Sequence, residues 1–213
     1  MVKKVEAKTK VVTIAPPNLK EVTYRIRGTS VYAQHKFSAK AKEAIKRKQE
    51  EGSTAKKGQK REPKNFQDDY LGAMHLSSDG WRGIPANAFR NAMISACRIC
   101  GFQMTRAKLA IFIVPDGIDD EESMPLVRIA SGEPQRRDIP VRLETGVIDI
   151  RPLPVWEAGW EAGVTVRFDA DMFTKADIEN LLARAGMQVG IGEGRPDSRN
   201  SAGLGWGTFE IVG

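Results

Sequence analysis

Alternation is the first signal in the chain. Across E-V-T-Y-R-I-R-G-T-S-V-Y-A, residues 21–33, Val22, Tyr24 and Ile26 fall to one side and Thr23, Arg25 and Arg27 to the other. A period of two belongs to a strand with one buried face. Gly28 inside the run marks a bulge or a close approach. Residues 83–100 follow another rhythm: Ala86, Phe89, Ala92, Met93, Ala96, Cys97 and Cys100 recur at three-and-four spacing. That predicts a helix with a buried stripe, Pro85 in its first turn and Gly101 as its stop. A-K-L-A-I-F-I-V, residues 107–114, predicts an apolar strand, and G-V-T-V-R-F-D, residues 163–169, alternates as another. Thr174 with Asp177 opens a second helix in the manner of a capping box. Its apolar face is Ile178, Leu181, Leu182 and Ala185, with Gly186 ending it. A last strand is expected from Trp206 to Val212.

The order is strand, helix, strand, strand, helix, strand. It predicts an α+β fold of the ferredoxin-like, RRM-like kind: a four-stranded antiparallel sheet with two helices on one face, plus insertions. RNA-recognition domains bind single strands on the open face of such a sheet. Residues 1–20 are expected to form a flexible arm, and 21–213 a single domain with insertions at about 34–82 and 115–163. In the first insertion, Ser38 caps a helix over 39–50 whose apolar side is only Ala41, Ala44 and Ile45. Burial cannot drive such a helix. In the second lie strand candidates around 125–130 and 139–151, the acidic turn D-G-I-D-D-E-E, and W-E-A-G-W. Trp156 and Trp160 there either stack bases or pack against the sheet, and packing is preferred.

Size and charge narrow the function. The 213 residues suit one domain, and 41% apolar content supports a real core. No apolar run reaches membrane-spanning length and the N-terminus lacks a signal core, so a cytoplasmic protein without a membrane partner is expected. The net charge of +6 is concentrated: residues 38–64 hold ten Lys/Arg and four Glu, and the rest of the chain balances. Blocks of this kind contact nucleic acid or are simply solvated loops. Lys46, Arg47 and Lys48 on the helix, and Lys56, Lys57, Lys60, Arg61 and Lys64 beyond it, are the candidates. Cys97 and Cys100 lack the second pair a zinc site requires, so buried thiols are expected, with no metal and no cofactor.

The strongest chemical signal is at the C-terminus. Seven glycines fall between Gly190 and Gly213, with Arg195 and Arg199 among them. Free backbone amides at Gly190, Gly192, Gly194, Gly203 and Gly205 make an anion-binding concavity, and flanking arginines suit phosphate. The alternative is a long hairpin loop. The order helix, glycines, strand excludes a dinucleotide fingerprint, and no Lys-Ser or Lys-Thr follows to make a Walker loop.

Two segments resemble the RAMP superfamily, the repeat-associated group that supplies subunits of CRISPR effector complexes. G-I-P-A-N-A-F-R-N-A-M, residues 83–93, is similar to the family's I-P-G-S-S-L-K-G-x-x-R helix start. G-I-G-E-G-R-P…G-L-G-W-G-T-F-E-I, from Gly190, is similar to its glycine-rich loop feeding the last strand. The sequence departs at Ala86-Asn87-Ala88, where the family has Gly-Ser-Ser, and its glycine loop is longer. The resemblance implies an RRM-like fold that binds single-stranded RNA, with Arg90 joining the phosphate contacts. It is nearest to backbone subunits that oligomerise along a guide, and the chain also looks like small proteins of tailed phages. Single-stranded RNA or DNA, further copies of the chain, and host CRISPR effector subunits are therefore the expected partners, the last for a decoy that disrupts such complexes. Some superfamily members cleave RNA; His35, His75 and Asp69 are the weak catalytic candidates, and the expectation is a binding protein rather than an enzyme.

Overall fold

A computed structural model describes residues 15–37, 39–50, 63–142, 146–197 and 203–213. The strands are β1 (Leu19–Gly28), β2 (Tyr32–Ala33), β3 (Gly83–Pro85), β4 (Ile111–Val114), β5 (Gly117–Ile118), β6 (Pro125–Ser131), β7 (Pro134–Arg142), β8 (Ile148–Trp156), β9 (Glu161–Asp169) and β10 (Phe209–Ile211). The helices are α1 (Ala39–Glu50), α2 (Phe66–Gly72), α3 (Ala86–Ile99), α4 (Met104–Ala110) and α5 (Lys175–Arg184), with a π-helical turn at Ala185–Val189.

β9 is the hub of the main sheet. One edge pairs along its length with β1, from Leu19↔Asp169 to Arg27↔Glu161. The other edge is divided between β4, from Ile111↔Phe168 to Val114↔Thr165, and β6 at Ile129↔Ala162. β10 joins β1 on the far side. The path β10-β1-β9-β4, with α3 and α5 as the connecting helices, is the antiparallel arrangement the element order predicts. The sheet is nevertheless seven-stranded rather than four-stranded, because β6 brings β3 and β5 with it. Those two strands hold three and two residues, too short to show a period.

The two faces differ sharply. Tyr24, Ile26, Val164, Val166 and Phe168 enter one core with Phe89, Met93 and Cys97 of α3 and Ile178 and Leu182 of α5. Each fully buried aliphatic or Phe side chain there contributes about 1.5–3 kcal/mol. The opposite face is polar and paired across strands: Glu21 with Arg167, Arg25 with Glu161, Arg27 with Glu210, and Thr23 with Thr165.

Several elements depart from expectation. The run 21–33 is two strands in two sheets. β1 ends at Gly28, and β2 pairs with β8 in a second, three-stranded sheet, β2-β8-β7. Gly28 is the close approach: a Cβ there would lie 2.0 Å from Trp160 Nε1. Trp160 and Trp156 are buried, packed about Tyr32 at 5.4 and 5.5 Å between ring centroids, so neither offers a face to a base. The segment 107–114 is half helix. Ala107 and Ala110 face inward at helical spacing while Lys108 and Leu109 are exposed, and only Ile111–Val114 extends. Gly186 does not end α5. The chain continues through the π-helical turn to Gly190, whose φ is +70°. Gly186 serves the packing instead, since a Cβ would meet the Phe209 carbonyl oxygen at 2.2 Å. The Thr174–Asp177 capping box is present. Cys97 is buried, but Cys100 is exposed, at the C-cap of α3.

Candidate nucleic-acid interface

A cleft of about 290 Å³ lies on the helical side of the main sheet, where the second sheet meets α3. One wall is the polar face of α3: Asn87, Asn91 and Ser95, four residues apart on successive turns. The facing wall is the glycine loop from Gly190 to Arg195. Tyr32, Gln34 and His75 also line it, together with His35. The two segments that carry the family resemblance, far apart in sequence, are thus opposite walls of one cavity.

Local chemistry explains why α3 opens there. Its N-cap is Pro85, which supplies no side-chain cap. The first-turn amides of a helix have no intrahelical acceptor and carry the positive end of the macrodipole. Ala88 of that first turn lines the cleft beside Asn87. On the opposite wall the glycines hold left-handed angles, +70° at Gly190, +73° at Gly192 and +70° at Gly194. The loop is ordered by its own bonds. Ile191 N–H donates to Gly207 O, Glu193 N–H to Ala33 O, and Gly207 N–H to Val31 O. Of the glycine amides expected to be free, that of Gly190 is spent on the fold, donating to Ala185 O at 2.8 Å. Among the described residues the Gly192 and Gly194 amides have no backbone acceptor, and of the two only Gly192 lines the cleft.

The expected phosphate-binding cations meet different surroundings. Arg195 lines the cleft, and its guanidinium donates to Gly192 O at 3.0 Å and Asp197 O at 3.2 Å, so it braces the loop while keeping its charge at the wall. Arg90 is already engaged elsewhere. Its guanidinium donates to Ile111 O at 2.9 Å and to Lys108 O, capping the last turn of α4 rather than waiting for phosphate. It lies on the side of α3 that meets α4 because Arg90 and the cleft residues Asn87 and Asn91 differ in helical phase. Lys64 donates to Asp149 at 2.8 Å and Ile150 O at 2.7 Å. It lines a second hollow of about 250 Å³ with Asp69 and Arg151, and His35 is shared between that hollow and the cleft. Lys46 and Arg47 are exposed on α1 and do not reach the cleft; Lys48 belongs to the same helix. Gly203 and Gly205 do not line it either. Lys56, Lys57, Lys60, Arg61 and Arg199, and the Ser38 cap, lie outside the described residues.

The cleft also meets a polar network that sequence reasoning missed. Asp119 is fully buried and accepts from Lys36 Nζ at 3.0 and 3.2 Å, from the backbone of Glu121 and Glu122 at 3.0 Å each, and bonds His75 Nδ1 at 3.1 Å. Lys36 also pairs with Glu121 at 2.9 Å. Gln34 bonds Tyr32 O–H, Gly83 O and the His75 amide. The acidic turn thus meets the basic insertion of its own chain, through Lys36 and through Lys42–Glu122. Burial works to raise the Asp119 carboxyl, but the Lys36 bond and the turn amides outweigh it and hold it below the usual range. Burial pushes His75 down despite Asp119. His35 is lowered by burial, then by Arg151 and Lys64. Asn87 and Asn91 were legible as the polar side of the α3 pattern; Asp119 gave no signal beyond a run of acids.

No protein-family model matches the chain, and no curated protein matches it in sequence. Among solved structures it is similar to Cmr6 from Pyrococcus furiosus, at 10% identity and a TM-score of 0.40, over 92% of this chain and 99% of that one. No helix among the described residues is long and apolar enough to cross a membrane.

Proposed function

We propose that the chain is a binding protein for single-stranded nucleic acid, RNA foremost, and that it holds backbone phosphate in this cleft. The observation that carries the reading is the meeting of the uncapped α3 N-terminus with the Gly190–Arg195 wall. Helix N-terminal amides, left-handed glycine backbone and a guanidinium each favour an anion. Asn87, Asn91 and Ser95 add donors and acceptors suited to sugar hydroxyls or base edges. Glu193 in the same wall opposes phosphate; Asp197 is neutralised by Arg98 at 2.9 Å. The open face of the sheet is the weaker site, because its arginines are already matched by carboxylates, its paired strands present threonine and ion pairs, and Phe112, opposite Arg167, has the Arg90 guanidinium over its ring at 5.6 Å. The exposed cations of α1 extend the basic surface and favour further copies lining up along one strand.

The test is fluorescence anisotropy of a labelled single-stranded RNA across a salt series. Each neutralised phosphate contributes about −0.7 to the log–log slope, so two or three contacts cost roughly 7- to 20-fold between 50 and 200 mM salt. A flat salt response sinks the reading. Light scattering on the same mixtures, before and after ribonuclease, reads assembly along the strand.

A further inference from the structure

We propose that the cavity at the C-terminal end of α3 is a binding site for a soft monovalent metal ion of the copper(I) class, with the sulfurs of Cys97, Cys100 and Met172 as its ligands. The site lies at the opposite end of α3 from the cleft and is independent of the nucleic-acid reading.

The cavity holds about 290 Å³ between the end of α3, the residues just after it, and α5. Two thiols enter it from the end of one helix. Cys97 and Cys100 are three residues apart, a spacing that puts side chains on one helix face with Cβ atoms about 5–6 Å apart. An ion seated between them reaches both sulfurs. Neither thiol is held in a disulfide; Cys97 is buried and Cys100 is exposed, so the first forms the floor of the site and the second its entrance. The third sulfur comes from the turn that joins β9 to α5. Asp169 builds that turn. Its carbonyl oxygen accepts from Met172 N–H at 3.1 Å and Phe173 N–H at 3.0 Å, and its carboxylate accepts from Asp171 N–H at 3.0 Å. Met172 is thereby held half-buried against the core, lining the same cavity as the thiols.

The donor set selects the metal. Thiolates with a thioether are soft ligands that suit copper(I). Structural zinc takes a closed shell of four ligands, and among the described residues no group of three or more His, Cys, Asp or Glu could hold a metal. Copper(I) is satisfied by a smaller, all-sulfur shell. Asp177 also lines the cavity, but its carboxylate is committed to the Thr174 capping box. The surroundings fit as well. Phe102 and Phe173, with ring centroids 4.9 Å apart, and Leu181 give the site an apolar wall that limits water. Burial and then the neighbouring thiol push Cys97 above the ordinary thiol range, so its proton leaves in exchange for the ion. Seating copper(I) forms one bond to each of the three sulfurs and releases the two thiol protons to solvent. The metal is neither oxidised nor reduced, and the complex carries one negative charge. Arg184, in the last turn of α5 and lining the cavity, offsets it.

The experiment titrates the full chain, without oxygen, against copper(I) held by bicinchoninate, whose colour fades as the ion transfers. One copper(I) per chain is expected, with a sulfur-only shell by X-ray absorption and no displacement by added zinc(II). C100S and M172L should each weaken retention by about tenfold or more. Removal of the buried Cys97 threatens the fold, so these two variants decide, with circular dichroism melts showing that each is folded without metal. Failure of the wild-type chain to take copper(I) from bicinchoninate overturns the site. Retention unchanged in C100S or in M172L overturns the three-sulfur assignment. One copper(I) per two chains, with doubled mass by light scattering, also overturns it, since the exposed Cys100 then bridges copies.

Discussion

Two glycines two residues apart in the C-terminal loop separate backbone strain from steric overlap. Gly205 and Gly207 have nearly the same φ, +71° and +68°. Alanine at either position pays the left-handed penalty of about 1–2 kcal/mol. Their surroundings differ completely. A Cβ at Gly205 meets nothing within 4 Å, whereas one at Gly207 would sit 1.8 Å from the Ile191 carbonyl oxygen and 2.8 Å from its carbon. That oxygen belongs to backbone, and Gly207 is tied to it: Ile191 N–H donates to Gly207 O at 3.0 Å and Gly207 N–H to Val31 O at 2.6 Å. Relief demands a backbone shift of about 1–3 kcal/mol and the loss of at least one hydrogen bond, about 1 kcal/mol. Gly205→Ala should therefore cost about 1–2 kcal/mol and Gly207→Ala about 3–6. For a chain of this size each kcal/mol is roughly 2–4 °C in Tm. Thermal melts followed by circular dichroism should show a drop of about 2–8 °C for the first and at least about twice that for the second. Gly190 and Ile191 line the cleft, so Gly207→Ala should also weaken RNA binding while Gly205→Ala leaves it unchanged. Equal Tm losses, or equal losses of affinity, would refute the described tie between Gly207, Ile191 and the cleft wall.

Other consequences follow from the same coordinates. Arg90→Lys should lose the bidentate cap on Ile111 O and Lys108 O and lower stability by about 1–2 kcal/mol in urea melts, with no change in the salt slope of RNA binding. Lys36→Met should cost about 3–5 kcal/mol by leaving Asp119 buried and unpaired, and the double variant K36M/D119L should recover part of that loss in the same melts. His35 and His75 are both held below the ordinary histidine value. Their folded forms therefore resist protonation, so their contribution is full above about pH 6.5 and is lost as pH falls through the folded values. Tm should decline from pH 7 toward pH 5, and His35→Gln should make that decline shallower. Asp119 has the carboxylate sign: its contribution is full above about pH 4 and is lost as pH falls further, through its depressed folded value.

Local periodicity was enough to locate β1, α3, β9 and α5, because a buried face repeats every two or 3.6 residues wherever the element packs. The Thr174–Asp177 box and the stop at Gly101 were legible for the same reason: capping bonds join residues within one turn. Gly28 announced a close approach, and the glycine loop and Pro85 announced unusual backbone. The sequence alone did not place those features together. The cleft exists because α3 begins opposite Gly190–Arg195, and those walls are about a hundred residues apart in the chain. Burial of Asp119 depends on Lys36, 83 positions away. Arg90 reads as a free cation until α4 presents its last carbonyls, and the second sheet claims residues 32–33 only because β8 returns beside them. Charge and hydrogen-bonding capacity are written in residue type, but which partner meets them is decided by packing between distant segments. The cleft is the product of those meetings: an uncapped helix end, a glycine wall and a buried histidine share one cavity.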